Sequence, residues 1–396
     1  MRPSLLFYCQ HSLGMGHLVR SLILASGFAS RFNVVFLNGG PRPKSVTFPN
    51  TIEVIDLPPL GLDARGRLRS RDGRRTVERA RNLRRKIILE AFRGLRPDVV
   101  FIELFPFGRK KFAGELLPLL EEAKNSAPLK PVVISSVRDI LVSRTRKQQN
   151  HDEQAAAIAN EHFDAILVHS DPKFAQLEES FRPLLPLCVP VHYTGFVLPE
   201  EKTARWLKKG HLRQILVSAG GGLVGGPLLR TAVQAYSLLR QTRRLRMKVI
   251  AGPFLPGDEW VSLRAMAKGM EGLVVRRVVG DLANEMRASC ASVSQCGYNS
   301  AMDILRARVP ALVVPFNVGD EDEQMKRARR LERLGAVRVL DSQKLSPPRL
   351  AKEMRALLNF GPPALELDLN GARKTARIVE KLVCARRDKQ ACIRQG

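Results

Sequence analysis

Ser4-Leu5-Leu6-Phe7-Tyr8-Cys9, followed by Gln10-His11-Ser12-Leu13-Gly14-Met15-Gly16-His17-Leu18-Val19-Arg20, decides how this chain folds. The first six residues are almost continuously apolar and of strand length. Such a run suits a strand covered on both faces, as in a parallel sheet. Two glycines then interrupt the chain, and residues 17–29 carry apolar side chains at helical spacing. Strand, glycine turn and helix in that order begin a βαβ unit.

The same alternation continues outward. Short apolar runs at 33–37, 53–56, 99–102, 132–135 and 165–168 predict further strands, with helical patterns between them, as at 111–123. The series then restarts at 214–218, 248–251, 273–275, 291–294 and 311–314. Helices are expected at 228–241, 300–307 and 324–334. No sequence repeat relates the two series. The expected fold class is α/β, with two Rossmann-like domains at 1–197 and 198–362. A basic segment, 363–396, ends the chain in a helix near 370–387.

Length and composition agree with this plan. The chain has 396 residues, which suits two domains. Apolar residues make up 44%, enough to build real cores. The six cysteines, Cys9, Cys188, Cys290, Cys296, Cys384 and Cys392, form no CxxC pair and no zinc spacing. They read as reduced thiols of a cytosolic protein. The first apolar run is too short for a signal peptide, and no run of about 18 apolar residues is present to span a membrane.

Charge sets the chain apart. It carries 65 Lys and Arg against 38 Asp and Glu, a formal net charge of +27. Such a surface attracts polyanions. The excess is concentrated between Arg65 and Arg96, including Arg84, and reads as a solvated loop and helix face. Phe92 is the one aromatic in that stretch, which disfavours a base-stacking platform and hence nucleic acid. An anionic membrane surface is the polyanion that fits better.

Three glycine-rich turns each follow a predicted strand and open a helix. They are Gly14-Met15-Gly16-His17, Gly220-Gly221-Gly222, and Ser294-Gln295-Cys296-Gly297-Tyr298-Asn299-Ser300. A turn of this kind aims unpaired backbone N–H groups at one point, and the helix dipole adds partial positive charge there. Glycine lets a phosphate approach the backbone. The third glycine of a dinucleotide fingerprint and a Walker A motif are both missing. Ligands of parallel sheets bind beyond the carboxyl ends of the strands, so a phosphate-bearing ligand between the two halves is expected.

Individual residues suggest roles. His17 enters a helix at its amino end, which disfavours imidazolium, so it is a candidate general base. Arg20 lies about one turn further along. Glu103 and the Arg138-Asp139 pair end first-domain strands and are candidate acceptor-side residues, or a structural ion pair. Asp303, one turn into its helix, is placed to accept hydrogen bonds from ribose hydroxyls. The acidic run Asp320-Glu321-Asp322-Glu323 has the form of a DxD metal motif. It reads instead as a helix amino terminus, with Gln324 able to hydrogen-bond a sugar. No metal and no cofactor are expected.

Several of these residues carry a resemblance. Ser294-x-x-Gly297-x-x-Ser300-x-x-Asp303-Ile304, Val309-Pro310-Ala311, Val314-Pro315-Phe316 and Asp322-Glu323-Gln324-x-x-x-Ala328 resemble the donor half of the peptidoglycan N-acetylglucosaminyltransferase family. That resemblance implies the GT-B fold and inverting, metal-independent transfer from a UDP-sugar. It implies that Asp303 is the ribose carboxylate. It implies that Gln324 is the second member of a Gln-Gln pair on the donor sugar. The first member is Glu323 here. It further implies that Ser300 and Gly297 lie on the diphosphate side, and that His17 is the loop histidine. Gly14, Gly16, Gly220, Gly221, Gly222, Ser294 and Asn299 complete the implied donor site. The first half matches poorly beyond its opening loop, so the acceptor is not inherited. Gly14-Met15-Gly16-His17-Leu18-Val19-Arg20 also resembles the GxGHxxR string of nucleotide-sugar hydrolases. A hydrolase or epimerase of the same fold is therefore the alternative, and a non-catalytic basic binding protein the second. The expected location is cytoplasmic, including the inner face of the membrane.

Overall fold

Gly39, Gly195 and Gly220 each follow the end of a strand, in a chain that builds two parallel sheets. The computed structural model describes residues 2–11, 16–43, 45–63, 66–127, 130–142, 148–199, 212–240, 245–317 and 322–395. The chain divides into two compact units, Met1–Pro199 with Leu367–Gly396, and Glu200–Glu366. The division falls at 199/200 and 366/367, against 197/198 and 362/363 read from the sequence.

The first unit runs β1 (Ser4–Cys9), α1 (Gly16–Phe28), β2 (Asn33–Asn38), β3 (Glu53–Asp56), β4 (Leu60–Leu62), β5 (Leu68–Ser70), α2 (Val77–Leu95) and β6 (Val99–Glu103). It continues with α3 (Ala113–Asn125), β7 (Val132–Arg138), α4 (Gln148–His162), β8 (Ala165–His169) and β9 (Val191–Tyr193). Seven strands form one sheet in the order β3-β2-β1-β6-β7-β8-β9, all parallel. β1 and β6, the first strands of the two directions of winding, lie side by side. This is the topological switch point, where the loops part and leave room for a ligand. The burial of β6 and β8 along every residue explains their continuous apolar runs. One core, with Leu6, Val100 and Ile166, covers one face; a second, with Phe7, Phe101 and Ile134, covers the other.

The second unit runs β10 (Leu212–Ser218), α5 (Gly226–Arg240), β11 (Arg246–Ile250), α6 (Gly257–Ala267), β12 (Leu273–Arg276), α7 (Leu282–Ala288) and β13 (Ser289–Ser294). It continues with α8 (Tyr298–Ala307), β14 (Ala311–Val313), α9 (Glu323–Arg333), β15 (Arg338–Val339) and α10 (Pro347–Leu357). Its sheet order is β12-β11-β10-β13-β14-β15, again parallel. Here β10 and β13 flank the switch point.

The last helix, α11 (Gly371–Gln395), belongs to the first unit and is longer than the 370–387 expected. Its buried Ala372, Ala376, Val379 and Val383 join the core that contains Leu18, Ala25 and Phe28 of α1. A Cβ on Gly27 would stand 3.4 Å from Ala372, so the two helices approach closely there. Arg387 donates to Asp98 Oδ1 (2.6 Å), and Arg386 to Asp164, tying the helix to the starts of β6 and β8.

Arg84 corrects one expectation. The described arginines and lysine between Arg67 and Arg96 are otherwise exposed, but Arg84 is fully buried. It donates to Glu115 Oε2 (2.8 Å) and Oε1 (2.6 Å), and to the carbonyls of Gly39 (2.7 Å) and Pro58 (2.9 Å). It also donates to Gln10 Oε1 (2.7 Å) and Tyr8 Oη (3.1 Å). Burial raises the Tyr8 phenol well above its usual range, aided by Glu115, and its hydroxyl donates to Glu115 Oε1 (2.5 Å). A charge this deep is tolerated because its partner and hydrogen bonds are complete. The network pins the carboxyl ends of β1 and β2 to α2 and α3.

Among the described residues, no helix is long and apolar enough to cross a membrane. Cys9, Cys188, Cys290, Cys296 and Cys384 are free thiols.

Candidate functional site

The described candidate residues of the first unit lie at the carboxyl edge of its sheet, on either side of the β1/β6 switch point. Gly16 and His17 are the first two residues of α1, directly after the β1 loop. Gly14 lies outside the described residues. Glu103 is the last residue of β6 and is wholly buried. The two meet: His17 Nδ1 is 2.5 Å from Glu103 Oε1.

Two arginines complete the cluster. Arg20, on the same face of α1 as His17, is 1% exposed and donates to Glu103 Oε1 (2.7 Å). Arg109, in the loop after β6, donates to Glu103 Oε2 through Nε (3.2 Å) and Nη2 (3.1 Å). Its backbone is left-handed, with φ 60°, which turns the side chain back toward the strand end. Burial alone would raise the Glu103 carboxyl, but His17, Arg109 and Arg20 outweigh it and hold it below the usual carboxylate range.

The imidazole responds in the opposite sense. Burial is the largest influence on His17 and pushes its pKa down. Glu103 pulls it up, while Arg109 and Arg138 push it down again. The net direction is downward, so the neutral ring is favoured. A carboxylate can only accept, so Nδ1 carries the proton and Nε2 keeps its lone pair. With side chains still 18% and 14% exposed, His17 and Arg109 are the members of the cluster that reach solvent.

Burial separates the first-unit candidates. Arg20 and Glu103 offer almost no surface to a ligand, so the expected acceptor contacts at those two residues give way to contacts with His17 and with each other. Asp139 is buried as well, 1% exposed, while Arg138 ends β7 half-buried. His169 ends β8, fully buried between Ser136 Oγ (2.7 Å) and Thr194 Oγ1 (2.8 Å).

In the second unit, two of the glycine turns lie at the β10/β13 switch point and touch. Gly220 and Gly222 have φ of 56° and 92°, a conformation that L side chains rarely adopt. A Cβ on Gly220 would stand 3.2 Å from Ser300 Oγ, and one on Gly222 would stand 2.5 Å from the Ala251 carbonyl. Gln295 Nε2 donates to the Val224 carbonyl (3.2 Å), joining the third turn to the second. Gly252, absent from the sequence reading, packs against the backbone of Gly220 and Gly221, and Phe254 N donates to Gly221 O (2.9 Å). A glycine directly after β11 was the available signal.

Gly297 caps α8 without a side-chain bond, so the N–H groups of the first turn, including Asn299 and Ser300, have no cap from that side chain. Ser294 ends β13 and is buried. Gln324 holds the third turn from the other side: its Oε1 accepts from Cys296 N (3.1 Å) and Phe316 N (3.2 Å). That leaves its Nε2 hydrogens to meet a ligand. Glu323 is bound by the wholly buried Arg327, both of whose terminal nitrogens lie 3.2 Å from Oε1, and Arg327 also donates to Cys296 O (2.9 Å).

Asp303 lies half-buried on α8. Burial, then the nearby charge of Asp281, raises its pKa to about 7, against the opposing Arg306. Arg306 itself forks onto Asp281 (3.2 and 3.1 Å). Asp320 and Glu321 lie outside the described residues. Asp322 caps α9 and pairs with Lys326 (2.7 Å), as a helix-end acid does.

Comparison with known proteins agrees with this geometry. Residues 226–382 match the Glycosyltransferase family 28 C-terminal domain. The match extends into α11. A UDP-N-acetylglucosamine--N-acetylmuramyl-(pentapeptide) pyrophosphoryl-undecaprenol N-acetylglucosamine transferase of Caulobacter vibrioides is 27% identical over 165 residues, 41% of this chain and 45% of that one. The transferase of the same name from Chromohalobacter salexigens is 29% identical over 177 residues, covering 43% and 47%. The chain thus spans less than half the length of these curated relatives. Solved structures match throughout. Acinetobacter baumannii MurG superposes with a TM-score of 0.59 at 14% identity, covering 96% of this chain and all of that one. CalG4, the calicheamicin glycosyltransferase, gives 0.59 at 15% identity, covering 98% and 95%. The chain has the fold of the GT-B glycosyltransferases, and its second half resembles that of the peptidoglycan N-acetylglucosaminyltransferases.

Proposed function

We propose that this protein is a glycosyltransferase that moves a sugar from a nucleoside diphosphate-sugar, UDP-linked, to an acceptor hydroxyl with inversion. The observation that carries the reading is the His17–Glu103 pair at the first switch point. Glu103 fixes the tautomer and Arg20 fixes Glu103, so Nε2 of His17 is a base with a set direction. The acceptor oxygen attacks the anomeric carbon, its proton passes to Nε2, and the bond to the diphosphate oxygen breaks. General base catalysis of this kind is worth about 10²–10⁴-fold in rate.

The leaving diphosphate gains charge as that bond breaks. The N–H groups of Gly221, Asn299 and Ser300 are suited to receive it, Gly222 N being held by the Ala219 carbonyl (2.9 Å), and donors of this kind contribute about 2.7–4 kcal/mol each. Asp303 is assigned to the ribose hydroxyls. The Nε2 hydrogens of Gln324 and the Arg327-bound Glu323 are assigned to the donor sugar. Arg138, and with it Arg109, is assigned to the acceptor. The exposed arginines of α2 favour an anionic surface as the place where the acceptor is met.

Product analysis tests the reading. The protein is incubated with UDP-sugars, with and without a lipid and glycan extract as acceptor. Release of UDP that depends on acceptor, with the sugar recovered on it, is the expected result. Release of free sugar at the same rate without acceptor would assign the same dyad to water and make the protein a hydrolase.

A further inference from the structure

His162 is the last residue of α4, and its side chain is only 4% exposed. Nδ1 is buried with no hydrogen-bond partner. Nε2 points between two carboxylates, 3.7 Å from Glu121 Oε1 on α3 and 3.7 Å from Glu161 Oε2. Those distances are too long for hydrogen bonds, so the ring is buried among the described residues without any. Nδ1 is the orphaned atom, while Nε2 is the one turned toward the two carboxylates and able to bind an ion between them.

We propose that His162, Glu121 and Glu161 form a binding site for a divalent cation of the zinc class. The three ligand atoms lie within 4.8 Å of one another. Tetrahedral zinc with bonds of about 2.0–2.2 Å holds its ligands about 3.3–3.5 Å apart. The two imidazole–carboxylate distances are thus within a few tenths of an ångström of that spacing. Both glutamates are more than half exposed, so their side chains are free to close on an ion.

The surroundings favour a cation. Glu121 lies in the last turns of α3, and Glu161 and His162 in the last turn of α4, where both helix ends carry partial negative charge. Lys124 Nζ is the opposing charge, but it donates to Glu161 Oε1 (3.0 Å), leaving Oε2 on the histidine side. Lys124 therefore orients the carboxylate instead of filling the site. A mixed nitrogen and oxygen set suits zinc better than magnesium or calcium, which prefer oxygen alone. A bound ion would clamp α3 to α4 and leave a fourth position to water. The site is remote in sequence from the His17 dyad and does not depend on the proposed transfer reaction.

The test uses the full chain without a polyhistidine tag and with its thiols alkylated. Zinc binding is measured by calorimetry and cobalt binding by its visible spectrum. One ion per chain is expected, with a cobalt spectrum free of thiolate bands. Magnesium and calcium should not displace it. Glu121→Gln, an exposed change that leaves the fold intact, should weaken binding by at least about tenfold, and His162→Gln should abolish it. Wild-type protein that takes up no zinc, or E121Q and H162Q proteins that bind it as the wild type does, would overturn the site.

Discussion

His17 Nδ1 lies 2.5 Å from Glu103 Oε1, although 86 positions separate the two residues in the chain. The contact follows from strand order. β1 and β6 are neighbours in the sheet, and α1, which begins at Gly16 after β1, brings His17 to the end of β6. Glu103→Gln leaves the shape but no longer requires Nδ1 to carry the proton. We expect kcat to fall at least about 10²-fold, and His17→Ala to fall by about 10²–10⁴-fold. The KM for donor should change little in both, as steady-state kinetics would show. Unchanged kcat in H17A would remove the histidine from the mechanism.

The pH profile gives a second check on the same residue. A base must be neutral to act. Burial lowers the His17 pKa, so the ring stays neutral as pH falls through the ordinary histidine value of about 6.5. At saturating donor, kcat should therefore hold below pH 6.5 and fall only well beneath it. An acid limb centred near 6.5 in kcat would show that His17 is not shielded in this way.

Asp303 titrates in the reverse sense. Its folded pKa, about 7, lies above the value of 3.8 for a free aspartate, so the folded state binds the proton more tightly. The folded state therefore loses stability as pH rises from about 4 to 7, and the loss is complete above the folded value. Asp303→Asn removes the ionisation. Melting curves at pH 5 and pH 8 should show the variant gaining stability relative to wild type at the higher pH. Nucleotide affinity should show the opposite trend: rising through pH 7 in wild type, and lower and pH-independent in D303N.

Arg84 supplies a prediction about the fold. Removing one member of a buried, fully bonded pair costs about 3–5 kcal/mol. Arg84→Met should lower stability by that order in chemical unfolding, and Glu115→Leu added to it should recover a large part. An R84M protein as stable as wild type would mean that the network contributes little.

Gly222 tests the second turn. An added Cβ meets the Ala251 carbonyl, a backbone atom that cannot swing aside, and φ is 92°. Gly222→Ala should cost about 1–3 kcal/mol of strain. It should also displace the turn and weaken nucleotide binding while circular dichroism stays native. Wild-type nucleotide affinity in G222A would separate this turn from the phosphates.

The βαβ alternation was legible because strands such as β6 are buried from end to end, so that Val99–Ile102 are apolar and Glu103 alone, at the carboxyl end, is charged. The turn after β10 was legible because Gly220 and Gly222 take positive φ, which favours glycine. The Glu103 bonds to His17 and Arg20 were not legible: pairing across 86 and 83 positions depends on sheet order, which no local pattern encodes. Arg84 was misread for a related reason. It stands in a run of otherwise exposed bases, and only Glu115 on another helix makes its burial tolerable. The short β4–β5 pair, β9 and β15 carry too few residues for a period to register. Glu323 was visible as a departure from the amide of the resembling family, but its Arg327 partner was not singled out, although four residues on a helix bring two side chains together.

The central claim is that the turns at Gly220–Gly222 and Ser294–Ser300 bind a nucleoside diphosphate. Thermal unfolding in the presence of UDP, GDP, CDP, dTDP and their sugars measures it most directly. A ligand at 100 times its dissociation constant adds about 2.7 kcal/mol of stability. The account predicts saturable stabilisation by UDP and a UDP-sugar, lost in G222A and reduced in D303N. No stabilisation by any of these nucleotides in the wild-type protein would contradict it.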